Sequence, residues 1–184
     1  MPLSWVDIIM PLVILRCALT GKKSGLIVES FKLAGIFFAT FITLHYYNAL
    51  GSLLHQNLSL HEPIKDAYAF GLLAVGVHLL FSLIREGWLT ILDIDVPPFI
   101  NQWGGLILSA LRAYLVCGLI LLGLVVVKDK SIQASAKHSL SAFVFKDTST
   151  GIYRSFYSGW VGKFFPKEPL NEEVFKLMDE EEAK

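Results

Sequence analysis

Charge is scarce in this chain. Only 17% of its 184 residues are Asp, Glu, Lys or Arg, against about 25% in an average soluble domain, while 54% are hydrophobic. Basic and acidic residues number 16 each, and the basic ones are scattered, which argues against a nucleic-acid surface. Cysteine is nearly absent. Cys17 and Cys117 both fall in apolar segments with no C-x-x-C spacing, so they read as small packing residues rather than a disulfide or metal ligands. His55, His61 and Glu62 share a polar stretch but form no H-E-x-x-H or similar pattern. No G-x-S-x-G nucleophile elbow and no G-x-x-x-x-G-K phosphate loop occurs. No catalytic residue, metal ligand or cofactor-binding residue is therefore assigned, no cofactor is expected, and the chain reads as non-enzymatic.

Long apolar runs are what the chain does have. Four stretches stand out, at about Leu3–Leu19, Leu26–Leu50, Ala67–Ile84 and Leu106–Val127. A bilayer core of about 30 Å takes roughly 20 apolar residues in a helix. The expected fold is all-α: a polytopic membrane protein with four transmembrane helices in residues 1–127. Residues 128–184 then form a polar linker, an aromatic amphipathic helix and an acidic tail. The first stretch has no basic residue before it and no small-x-small cleavage site after it, so a retained helix fits better than a signal peptide.

Local signals place the turns. Gly21, Lys22 and Lys23 suit the end of a first helix, and Ser24 suits the cap of a second. That makes a tight hairpin. Residues 51–66 read as a polar loop. Residues 87–103 mix apolar residues with Asp93, Asp95 and the pair Pro97–Pro98, and read as a re-entrant or interfacial connector. A fourth helix would then begin near Gly104–Gly105.

Two stripes of small residues run at four-residue spacing. Gly35, Ala39 and Thr43 lie on the second helix, and Gly105, Ser109, Ala113 and Cys117 on the last. Such stripes let backbones approach closely, which predicts that these two helices touch. Gly21, Gly25 and Glu29 would share a face if the second helix began as early as Gly21.

Charges within or beside apolar stretches are costly and face protein or water. The candidates for a structural or functional role are Asp7, Glu29 and Arg112. Arg112 could snorkel to the near rim, pair with Asp7 or Glu29, or serve a transport path. Basic residues nearly balance between the two sides: Lys22, Lys23, Lys32 and Arg85 against Lys65, Lys128, Lys130 and Lys137. The positive-inside rule thus assigns the termini to neither side.

Near the C-terminus Tyr153, Phe156, Tyr157, Trp160 and Phe164 recur at helical spacing, flanked by Arg154 and Lys163. An aromatic and basic helix of this kind lies in the membrane interface. The alternative is a short helix packed on the bundle itself.

Two segments carry a family likeness. The first holds Asp7, Gly25, Glu29 and Gly35. The second is Gly105-x-x-x-Ser109-x-x-Arg112-Ala113. With the apolar segments, this pattern over about residues 5–127 resembles the colicin V production protein (CvpA) family of bacterial inner-membrane proteins. That family has a basic residue where Ser24 stands here, an Asp-Arg pair where Asn101 and Gln102 stand, and glycines where Ser109 and Ala113 stand. The resemblance implies an inner-membrane protein associated with toxin production or export and with envelope maintenance. Some relatives carry a serine protease after the spans; the segment after Val127 is too short to hold one.

The leading expectation is a non-enzymatic membrane protein whose partners are the lipid bilayer, a membrane or envelope protein, or further copies of itself, and not nucleic acid. One alternative is a small-solute or proton-coupled transporter or channel using Asp7, Glu29 and Arg112. Another is a membrane anchor that docks a partner through its C-terminal tail.

Overall fold

The computed structural model describes residues 4–58, 62–91, 96–127, 129–137, 139–164 and 169–175. Among them every regular element is helical. The chain forms α1 (Trp5–Ser24), α2 (Leu26–Leu58), α3 (Glu62–Ile91) and α4 (Pro98–Val126), then α5 (Lys130–Lys137) and α6 (Leu140–Phe156). A π-helical turn, Tyr157–Val161, leads into the short α7 (Gly162–Phe164).

Three helices, α2, α3 and α4, are long and apolar enough to cross a membrane, not four. The exception is α1, whose 20 residues include Asp7, Arg16, Lys22 and Lys23. It nonetheless packs lengthwise against α4. Val6 and Met10 at its start bury with Leu121 and Val125, and Gly21 at its end meets Ser109 and Gly105. The two helices are therefore antiparallel. In turn α4 packs on α2 and α2 on α3, so the long helices stand in the order α1, α4, α2, α3.

Helix boundaries differ from the sequence reading because local breakers proved weaker than helix-pair packing. α1 runs past Gly21 to Ser24, and the break falls at Gly25. The stretch read as a loop from residue 51 to residue 66 is mostly helix, since α2 continues to Leu58 and α3 starts at Glu62. Asp66 meets Gly51 across this end of the pair. Likewise α3 continues to Ile91 and α4 starts at Pro98, where proline is favoured in the first turn. Most of the supposed connector is thus the ends of two helices, while Asp93 and Asp95 lie outside the described residues. The linker after Val127 contains α5.

α6 lies across the row. Ser141 meets α1, Ser149 meets Gly118 of α4, and Tyr153 and Phe156 meet α2. Tyr153 and Val174 are fully buried in one core with Leu44, Leu119 and Leu122. The C-terminal aromatics at Tyr153 and Phe156 therefore turn inward onto the bundle, with the Phe156 ring 4.5 Å from that of Phe41.

Candidate functional site

The site begins at the turn between α1 and α2. Gly25 adopts φ 84°, a left-handed conformation that glycine reaches without steric cost. A Cβ there would also strike the side chain of Asn101 on α4. Asn101 occupies that space for a reason: its Oδ1 accepts the Leu26 amide at 2.7 Å. The first amides of a helix have no partner within it, so α4 caps α2 from outside.

One turn on, Glu29 is fully buried. Its Oε1 lies 2.6 Å from Lys32 Nζ, which also donates to Ser24 Oγ at 3.0 Å. Its Oε2 lies 3.1 Å from Arg112 Nη2. That contact is off the direction a hydrogen bond requires, so charge alone holds it, and neither Glu29 Oε2 nor Arg112 Nε has a hydrogen bond among the described residues. Lys32 and Arg112 are themselves only 14% and 12% exposed at the side chain. Side chains on a helix lean toward its N-terminus, which lets Arg112 reach back to a carboxylate near the start of α2. Residues of α2 and α4 thus converge on one carboxylate, with two cations against it, and Ser24 of α1 holds one of them.

Arg112 therefore pairs, and with Glu29 rather than Asp7. Asp7 sits at the other end of α1, about 21 Å from Gly21 along the helix axis. There it closes a capping box, accepting the Ser4 amide at 3.0 Å. It also accepts the Ser141 amide at 2.8 Å and the Ser141 hydroxyl at 2.9 Å, which ties α6 to the start of α1. Asp7 and the Glu29 cluster do not form one site.

Burial works to raise the Asp7 carboxyl, but the hydrogen bonds from Ser141 and Ser4 outweigh it and hold the group below its ordinary value. A lowered folded value means that the stabilisation is complete above the unfolded value and fades as pH falls through the folded one. At pH 7, Asp7→Asn should cost about 1 kcal/mol. The gap between variant and wild type should close below about pH 4. Thermal unfolding in detergent at several pH values checks this, and a gap independent of pH would contradict it.

The small-residue stripes have different partners from those expected. α2 and α4 do touch, yet the α4 stripe faces α1. A Cβ on Gly105 would stand 2.6 Å from the Gly21 carbonyl oxygen, and one on Gly21 would overlap the Ser109 side chain. Ser109, Ala113 and Cys117 are buried along the same seam. Gly35 faces Phe81 of α3 instead, with 3.0 Å left for a Cβ. Ala39 is buried in the shared core. Both cysteines are free, and Cys117 packs against the Met10 carbonyl.

Past the middle of α2, His45 Nδ1 lies 2.9 Å from the Tyr153 hydroxyl, which also accepts the Asn171 amide at 2.9 Å. Asn171 Nδ2 donates to the Leu44 carbonyl. Tyr157 packs on the same core. The side chains of Trp160 and Phe164, and residue His61, lie outside what is described.

A family model, colicin V production protein, matches residues 6–150. The chain belongs to the colicin V production protein family. No curated protein and no solved structure matches it. The match extends beyond α4 and takes in α5 and most of α6, including Ser141, the partner of Asp7. What the sequence reading missed was the role of Asn101, whose side-chain oxygen accepts the Leu26 amide. Ser141 was missed as well. Its only sequence signal is a serine-rich approach to a helix start, where Ser139 accepts the Ala142 amide.

Proposed function

We propose that this chain is a non-enzymatic, multi-pass protein of the bacterial inner membrane that supports the production or export of a peptide toxin of the colicin V type and the upkeep of the envelope. It does so through its assembly with membrane partners or with further copies of itself. The toxin-related part of this reading is supported by the family match over residues 6–150, and the scaffold part by the use made of the charges. Glu29, Lys32 and Arg112 are spent on one another, and Asp7 on Ser4 and Ser141. We read charges engaged with one another in this way as holding helices in position, as a scaffold requires.

The test is complementation. In a toxin-producing strain lacking this gene, the wild-type chain should restore toxin in the medium. Glu29→Gln, even when matched for membrane level, should restore far less. Failure of the wild-type chain to restore any toxin would sink the reading.

A transporter remains the second reading, favoured by one observation: polar side chains of α2 and α3 line a cleft beside the Glu29 cluster. Purified protein in liposomes should then pass a small solute or protons, and Glu29→Gln should abolish the flux. Flux no greater than in empty liposomes would dismiss it.

A further inference from the structure

The cleft between α2 and α3 is small, about 10 Å³, room for roughly one water-sized group. Lys32 and Gly35 line it from α2, and His78, Phe81, Ser82 and Arg85 from α3. Its charge is unbalanced. Lys32, Arg85 and Arg112 gather here, while Glu29 is the buried carboxylate among them. Glu86 stands 3.4 Å from Arg85 but is 68% exposed. The Arg85 side chain is only 19% exposed, so among the described residues a cation whose one carboxylate partner is solvent-exposed is held against the helix pair. Its Nη2 also lies 3.2 Å from Ser82 Oγ.

The height of the cleft suggests what completes it. Tyr68 and Trp88 are both exposed on α3. They stand about 30 Å apart along its axis, which is the thickness of a hydrocarbon core. Aromatic residues of this kind mark the two interfaces. Phe99 and Trp103 on α4 are exposed at the Trp88 end. Arg85 lies about one turn inside Trp88, just under the headgroup level. Lys32 directly precedes the uncharged run of α2, and Arg85 directly follows that of α3. Beside them Leu79 and Leu83 expose an apolar flank.

We propose that this cleft holds the phosphate of an anionic phospholipid. Lys32 and Arg85 face the phosphate from two helices, and the Ser82 hydroxyl is within reach to donate to it. One oxygen fills the cleft, and the acyl chains lie along Leu79 and Leu83. Basic clefts between helices at the membrane rim recognise lipid headgroups in this way. A phosphate group is the shared chemistry of lipid and free anion. The apolar flank and the rim position favour the lipid. This proposal goes beyond the export reading and does not depend on it.

Native mass spectrometry of the full chain in detergent tests it, with phosphatidylglycerol and phosphatidylethanolamine offered at equal concentration. The wild type should retain phosphatidylglycerol preferentially. Arg85→Gln should weaken that retention about fivefold, the contribution of one cation beside an anionic headgroup. Ser82→Leu, which fills the cleft without touching Glu29, should weaken it too. Arg16→Gln, on the exposed side of α1, should not. Equal retention of both lipids would overturn the proposal, as would undiminished retention by both cleft variants. Displacement of the lipid by millimolar inorganic phosphate would also overturn it, by identifying a free-anion site.

Discussion

Glu29→Gln is expected to be the most damaging single substitution in the bundle, at about 3–5 kcal/mol, the cost of stripping one partner from a buried ion pair. The change is isosteric, so no cavity contributes. What it removes is the only negative charge among the described residues against Lys32 and Arg112, which are 14% and 12% exposed at the side chain. Two cations are then left in a low-dielectric setting, where an unpaired charge is heavily penalised. Arg112→Met should cost less, because Lys32 Nζ remains 2.6 Å from Glu29 Oε1. Denaturation of the purified protein in mixed micelles, followed by circular dichroism, gives both numbers. The expected order is wild type, then Arg112→Met, then Glu29→Gln. The reverse order for the two variants would show that Glu29 is not the hub.

Gly105→Ala comes next in expected size, although it adds a single methyl group. The atoms it would meet are all backbone: the Gly21 carbonyl oxygen at 2.6 Å, and the carbonyl carbon and Cα of Gly25 at 2.9 and 3.1 Å. Backbone cannot rotate aside as a side chain can, so α1 must move off α4. Overpacking typically costs about 1–3 kcal/mol, and the upper end applies here. The shift would also pull the Gly25 turn away from Asn101, and with it the acceptor of the Leu26 amide. Gly76→Ala on α3 is the control. A Cβ there meets nothing within 4 Å, and alanine is the better helix former by about 1 kcal/mol. That variant should be neutral or slightly stabilised. Equal losses from the two changes would refute the close seam between α1 and α4.

Much of this was legible in the residues, and the misses have identifiable causes. Apolar runs located α2, α3 and α4, because burial and lipid exposure both select the same side chains. α1 was over-read. Its apolar residues suggested a fourth span, but its twenty residues carry four charges, more than a membrane-crossing helix of that length tolerates. Helix ends were misplaced wherever turn residues were trusted over packing. Gly21 looks like a C-cap, yet its missing side chain serves the contact with Ser109. Spacing also named the right small residues but not their partners, since helix order is a property of the whole chain. Glu29 and Arg112 were singled out as exceptional charges, and the structure places them 3.1 Å apart. Their pairing depends on α2 and α4 running side by side, which no local pattern encodes. Asn101 was read as a departure from the family pattern, because only the fold shows that its oxygen is the part in use.

The central claim is that Glu29 and Arg112 act as one lock rather than as two independent polar residues. The direct measurement is the stability of Glu29→Gln combined with Arg112→Met, set against each single variant. Removing Arg112 from the Glu29→Gln background takes away one of two stranded cations. The double variant should therefore be more stable than Glu29→Gln alone, with a coupling within the roughly 0.5–3 kcal/mol seen for contacting residues. A double variant that loses the sum of the two single costs would contradict the account.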